Sequence, residues 1–316
     1  MPPSLLAVGD GMMATLIMAM IQLFTRFADM VRDANARRLR RRRAPARLAY
    51  QQWVRENDAP TSERLMGFAE RYRRLVPRPL ISVIMPVYNA NLNWLDQAIE
   101  SIRGQVYQEW ELCIADDCSP RREVREALSA WSLKDARIKV AFRSENGHIS
   151  AASNSAIELA SGPFLALMDQ DDLITPNALL EMAEAIGQHP KAGLLYSDED
   201  KIDAENLRES PTKKGGWDPD RLQIHNYISH LGVYRTELVR ALGGFRVGYE
   251  GAQDHDLVLR CSERLDAQQI IYIPQILYHW RMHEHSTASS RRAKPYAVAA
   301  REKCIADHKI RMSSKA

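Results

Sequence analysis

The sequence predicts an α/β domain, a mainly parallel sheet flanked by helices, with a helical N-terminal extension. Three observations carry this. From Leu80 onward, short apolar runs of strand length alternate with segments of helical periodicity. A polar cluster follows each apolar run. The composition, 45% hydrophobic and 26% charged over 316 residues, is that of a chain that buries a large core without staples.

The elements follow in order. Residues 80–85 (LISVIM) read as a buried strand ending at Pro86, and residues 92–102 have helical spacing. Residues 111–115 (ELCIA) form a second strand, 122–131 a helix and 138–142 a third strand. Residues 149–160 read as a helix and 163–168 (PFLALM) as a fourth strand. Pro176 opens a helix over 177–187, and 193–196 is a fifth strand. Strand–helix alternation implies crossover connections and parallel pairing. The clusters after the five strands are Val87-Tyr88-Asn89, Asp116-Asp117-Cys118-Ser119, Glu145-Asn146-Gly147-His148, Asp169-Gln170-Asp171-Asp172 and Ser197-Asp198-Glu199-Asp200-Lys201. Ligands bind beyond the carboxyl ends of such strands, so five clusters together predict one shared site. Any one alone would be an ordinary loop.

The extension differs in character. Net charge is +3, but residues 1–50 hold nine Arg and three Asp, +6, leaving the rest of the chain at −3. Met13, Ile17, Met20, Phe24, Phe27 and Val31 recur at helical spacing, and an Arg tract follows over 37–43. The charges follow the apolar run, unlike a signal peptide. Asp10 and Arg26 bracket fifteen residues, short of the ~20 a membrane span needs. The pattern predicts contact with an anionic membrane surface through residues 12–47; the alternative is a helix packed on its own domain beside a solvated Arg run. Residues 1–44 are taken as this segment and 45–79 as a helical linker with Tyr50, Trp53, Val54, Leu65, Phe68, Tyr72 and Leu75, stopped by Pro77 and Pro79. Four Cys without a CxxC pair indicate a reducing, cytoplasmic compartment. The acidic body, and an Arg tract without interleaved aromatics, exclude nucleic acid as a partner.

Neither GxGxxG nor GxxxxGK[ST] occurs, so glycine-loop routes to phosphate are absent. Asp169–Asp172 offers another. Crowded carboxylates repel unless a cation lies between them, and hard ions such as Mn2+ or Mg2+ bridge carboxylates to substrate phosphates. The bland alternative is a capping turn before Pro176. Residues 278–283 (YHWRMH) add an Arg, which suits a diphosphate, and imidazoles, which are competent metal ligands. A zinc site from His279, His283 and His285 lacks a fourth ligand, and exposed His residues in a mobile loop are the plain alternative. Residues 204–220, with Lys213-Lys214-Gly215-Gly216, read as a flexible loop able to close over a ligand.

The segment from about Pro79 to Ala288 resembles family 2 glycosyltransferases of the GT-A fold. The matching pieces are ISVIMPVYN, ELCIADDCS, ENGHISAASNSAIELASGPFLALMDQDD, GAQDHDLVLR and YHWRMHEHSTA, in the family's order over about two-thirds of the chain. GHISAASN, SDEDKID and YHWRMH are most similar to bacterial enzymes of O-antigen and related surface polysaccharides. The resemblance implies a GT-A domain over 80–290, a C-terminal helical tail over 291–316, and an inverting transferase using a divalent metal. The donor would be a UDP- or dTDP-sugar and the acceptor a saccharide or lipid-linked saccharide, met at the inner face of the cytoplasmic membrane. Pro86, Val87, Tyr88 and Asn89 would line the nucleotide. Asp117 would bond the base, with Asn146 and His148 flanking it. Asp169 would contact the ribose beside Gln170, Asp171 would hold the metal with His283, and Arg281 would bind the diphosphate. Many relatives carry an Arg where this chain has Ser153, which leaves the base open between uridine and thymidine.

An inverting transfer needs a general base opposite the leaving group. Asp254 and Asp256 precede a helix over 257–265 whose Leu257, Val258, Cys261 and Leu265 share a face. Asp254 lies three, four and seven residues before the first three of these and points to their side. Asp256 is about 200° around and aligns with Arg260. Asp254 is therefore the expected base, and the resemblance maps its acidic base there too; the alternative is a helix cap. Three rival functions remain: a sugar nucleotidyltransferase, a membrane-held nucleotide-sugar-binding scaffold without turnover, and a nucleic-acid binder. The first would open with a Gly-rich loop where this chain has PVYN, intact acidic residues oppose the second, and the acidic body opposes the third.

Overall fold

The computed structural model describes residues 44–283 and 295–314. The amphipathic stripe Met13–Val31, the Arg tract and His285 lie outside the described residues. The chain divides into two compact units at Asp58. In the first, residues 44–57 form helix α1, on which Tyr50 and Trp53 stack at 5.7 Å. No helix among the described residues is long and apolar enough to cross a membrane.

The second unit begins with α2 (Ser62–Arg74). Thr61 caps it by accepting from the Arg64 N–H, Glu63 lies in its first turn, and Arg71, Arg73 and Arg74 lie in its last, as the helix dipole favours. Phe68, Tyr72 and Leu75 pack against the core, and Arg71 reaches Glu181 at 2.8 Å. This corrects the linker reading of 45–79: the apolar stripe of α2 belongs to the domain.

Among the described residues, nine strands make one sheet. They are β1 (Ile81–Val87), β2 (Trp110–Asp116), β3 (Ile138–Phe142), β4 (Phe164–Leu167), β5 (Leu173–Ile174), β6 (Leu194–Ile202), β7 (Arg208–Thr212), β8 (Gly232–Arg235) and β9 (Ile270–Arg281). Their order is β3-β2-β1-β4-β8-β6-β9-β5, with β7 on β6. The half from β3 to β4 is parallel, as the alternation predicts. The other half is mixed: β8 runs antiparallel to β4 and β6, β5 runs antiparallel to β9, and β6 is parallel to β9.

Helices α3 (Leu92–Arg103), α4 (Arg122–Lys134), α5 (His148–Leu159), α6 (Ala178–Gln188), α7 (Pro219–Leu222), α8 (Thr236–Ala241), α9 (Gln253–Ser262) and α10 (Pro295–Ser313) complete the domain. Side chains alternate across β1, so Ile81, Val83 and Met85 join α3, α4 and α6 in one core, while Ile84 joins α5 and α9 in the other. Each core removes a contiguous apolar surface from water, the main favourable term of folding.

One polar cluster is not a loop. Residues 197–201 continue β6, because their charges are met inside the fold. Glu199 pairs with Lys214 at 3.1 Å, Asp200 with Arg208 at 2.6 Å, and Asp198 accepts from the Lys214 N–H at 2.7 Å. Lys214, expected in a flexible loop, is 2% exposed, and burial lowers its pKa.

Candidate active site

The strand ends of β1, β2 and β4 form one wall. Tyr88 N–H donates to Gln170 Oε1 at 2.9 Å, and Gln170 Nε2 donates back to Tyr88 O at 3.2 Å. The Gln170 amide thus ties the ends of β1 and β4 together, which makes it part of the wall. Val87 O accepts from Asp117 N–H at 2.8 Å, and Asn89 N–H donates to Ser119 Oγ at 2.8 Å. Asn89, Cys118 and His148 all hold φ between 48° and 61°. Left-handed backbone at non-glycine residues is uncommon and concentrates at functional sites.

Asp117 is buried. Its Oδ1 accepts from Arg143 Nε at 2.8 Å and from Gly147 N–H at 3.0 Å, while Asn146 Nδ2 donates to its carbonyl at 3.1 Å. Arg143 also reaches Ser155 Oγ at 2.7 Å. Ser153 stands where many relatives carry an arginine. Arg143, just past β3, brings a guanidinium into the wall from another direction. His148 and Asn146 are exposed at the mouth beside it.

The acidic cluster past β4 separates into distinct roles. Asp171 Oδ2 faces His283 Nε2 at 2.7 Å. Asp169 is 37% exposed, and its Oδ2 lies 3.6 Å from His230 Nε2. Asp172 is fully buried, accepting from Tyr278 OH at 2.5 Å and from Arg281 N–H at 2.7 Å. Burial, with Asp171 and Asp169 nearby, pushes its carboxyl well above the usual range. Asp172 does not form the capping turn of the alternative reading: Asn177 occupies the N-cap of α6, and Asp172 ties β4 to β9.

Arg281 is corrected as well. Its side chain is buried, with Nε on Asp171 O at 2.7 Å, Nη1 on Asp203 O and Asn206 Oδ1, and Nη2 on Gln97 Oε1 at 2.9 Å. A guanidinium so engaged braces the acidic loop and offers no fork to a diphosphate. His279 Nδ1 meets Asp200 Oδ1 at 2.5 Å, away from any zinc set.

Among the described residues, no group of three or more His, Cys, Asp or Glu side chains is arranged to hold a metal. The facing Asp171–His283 pair offers one carboxylate and one imidazole, donors that could hold a divalent ion such as Mn2+.

Asp254 lies in the first turn of α9, where no side chain caps the N-terminus. Gln253 Nε2 donates to its Oδ2 at 3.1 Å. Burial raises the Asp254 carboxyl from 3.8 to about 6; His230 and the Gln253 bond act against the rise, and Asp169 adds to it. Asp256 is fully buried and paired with Arg260 at 2.8 Å and with Arg246, which also reaches Asp307 of α10 at 2.9 Å. Just before α9, Gly251 has φ +86°, and a Cβ there would lie 2.7 Å from Ala297 Cβ. Helix α10 thus braces the loop that presents Asp254.

His230, Tyr278 and Arg143 went unrecognised in the sequence as parts of this wall. A single His in YISHLG and a Tyr inside a strand carry no local signal; only strand register brings them to Asp169.

Fold and site together define an α/β protein with polar groups gathered at the carboxyl ends of its strands, where sheets of this kind bind ligands. Residues 82–243 match the Glycosyl transferase family 2 model, and the chain belongs to that family. An uncharacterized protein of Sinorhizobium fredii, y4gI, is 49% identical over 247 residues, covering 78% of this chain and 27% of that protein. The O-antigen biosynthesis protein RfbC of Myxococcus xanthus is 34% identical over 253 residues, covering 80% and 20%. The chain thus spans between a fifth and just over a quarter of these relatives. TarS residues 1–349 of S. aureus, in complex with UDP-GlcNAc, superpose with a TM-score of 0.59 at 21% identity, over 72% of this chain and 66% of that one. The mannosyltransferase PcManGT of Pyrobaculum calidifontis, in complex with GDP-Man and Mn2+, gives 0.54 at 18%, over 79% and 71%. At these identities the likeness establishes the GT-A fold.

Proposed function

We propose that the chain is an inverting, divalent-metal-dependent glycosyltransferase. It moves a sugar from a UDP- or dTDP-sugar to a saccharide or lipid-linked saccharide acceptor in the building of a surface polysaccharide. The observation that carries this is the gathering of Asp169, the Asp171–His283 pair and a carboxyl raised to about 6, Asp254, at one mouth of the sheet. The likeness to RfbC supports the O-antigen-like setting.

In this reading the backbone of Pro86, Val87, Tyr88 and Asn89 lines the nucleotide, with Gln170 holding that wall in place. Asp117, fixed by Arg143, is assigned to the base, with Asn146 and His148 flanking it, and Asp169 to the ribose. Asp171 and His283 would hold Mn2+ or Mg2+, which would supply positive charge toward the departing diphosphate. Asp254 takes the proton of the acceptor hydroxyl as that oxygen attacks the anomeric carbon. A carboxyl near 6 accepts a proton more readily than one at 3.8, yet is ionised at neutral pH. Residues 12–47 place the domain at the inner face of the cytoplasmic membrane.

The test is a panel of nucleotide sugars screened by thermal shift with Mn2+, since a ligand of the folded state raises the melting temperature. NMR then assigns the product anomer. Release of nucleoside diphosphate with inversion is expected. Failure of every nucleotide to bind, or release of pyrophosphate, refutes the reading.

A further inference from the structure

His230 is 7% exposed, yet its Nδ1 has no hydrogen-bond partner. Its Nε2 lies 3.6 Å from Asp169 Oδ2, beyond hydrogen-bond range. Nδ1 is closed to solvent, so a ligand meets the ring at Nε2, the nitrogen beside Asp169 that no protein group bonds.

The ring is held firmly. It stacks on Tyr278 at 4.8 Å and meets Trp280 edge-on at 6.2 Å. Its backbone N–H donates to Glu199 Oε2 at 2.6 Å, and its carbonyl accepts from Lys214 Nζ. Position follows from register: β8 runs antiparallel to β4, so the residues entering β8 lie beside the carboxyl end of β4.

The surroundings select the ligand. Asp169 and Asp254 both act electrostatically on this neighbourhood, Asp254 directly on His230 and Asp169 on Asp254. Carboxylates beside the ring accept hydrogen bonds, so a group that donates is favoured there. Burial lowers the imidazole's pKa, so the ring is neutral, with one N–H and one bare nitrogen. A hydroxyl, which both donates and accepts, matches a neutral imidazole beside carboxylates.

Resting on the glycosyltransferase reading, we propose that His230 is a specificity-determining residue that hydrogen-bonds a hydroxyl of the donor's sugar beside Asp169. The sugar rather than the ribose is implicated because Asp254, as base, stands at the reacting carbon.

Calorimetry of the full chain with Mn2+ tests this, comparing UDP with UDP-glucose, UDP-galactose and UDP-GlcNAc, and dTDP with dTDP-glucose. The readout is the gain in affinity that the sugar adds over the bare nucleotide. His230→Phe keeps the stacked ring and removes both nitrogens; His230→Gln restores one amide. In His230→Phe the sugar's gain should fall about 3- to 10-fold, the scale of one hydrogen bond, with nucleotide affinity unchanged and His230→Gln recovering part of the loss. An unchanged gain, an equal loss for bare nucleotide and nucleotide sugar, or no sugar gain in the wild type overturns the proposal. A wild type that binds no nucleoside diphosphate at all overturns the underlying reading instead.

Discussion

Replacing Asp254 by Asn separates the base from every structural role the residue could have. Asn keeps the shape and still accepts from Gln253 Nε2, but it neither ionises nor takes up a proton. Turnover should fall by ~10²–10⁴, the scale of general-base loss. Stability should move the other way. The carboxyl's pKa is raised on folding, from 3.8 to about 6, so the folded chain holds that proton more tightly than the unfolded chain. Its stabilising contribution is complete below 3.8 and is lost as pH climbs through about 6. The full shift of about two units corresponds to ~3 kcal/mol at most, and solvent access to a half-buried carboxyl reduces this to ~1–2 kcal/mol. Asp254→Asn should therefore match the wild type near pH 4 and exceed it by ~1–2 kcal/mol at pH 8, or ~2–6 °C in melting temperature. Urea unfolding at the two pH values, with turnover measured beside it, decides. A variant less stable than wild type at pH 8 would show that the carboxylate supports the fold. Wild-type turnover would remove Asp254 from catalysis.

Asp171→Ala should abolish the Mn2+-dependent thermal shift with a nucleotide sugar while leaving the metal-free melting temperature within about 2 °C; a full shift in the variant would move the metal elsewhere. Asp172→Ala should lower stability by ~2–3 kcal/mol, read by urea unfolding, because the Tyr278 O–H loses its acceptor and the Arg281 N–H its partner in the interior. Arg281→Lys should likewise destabilise, since an ammonium cannot reach Asp171 O, Asp203 O, Asn206 and Gln97 together; a loss confined to nucleotide affinity would restore its diphosphate role. Removing residues 1–44 should leave nucleotide binding intact and end co-sedimentation with anionic vesicles. That co-sedimentation in the full chain should weaken at high salt.

What depends on local period and local spacing is legible in the order of the residues. Apolar runs set β1 to β4, helical spacing set the intervening helices, and helix phase separated Asp254 from Asp256. The phase argument also foresaw the Asp256–Arg260 pair, four residues apart on one helix. Tertiary structure alone decided where charge could be buried. Residues 197–201 look like a loop because three acids in a row lack local partners; Lys214, Arg208 and His279 meet them only once β6 lies beside β7 and β9. Arg281 reads as a phosphate ligand until its partners, up to 184 residues away in the chain, close around it. His230 reaches Asp169 only through the antiparallel pairing of β8 with β4. Periodicity is a property of neighbours along the chain, whereas the pairing that neutralises a buried charge, or leaves an imidazole unmatched, is set by register between strands distant in sequence.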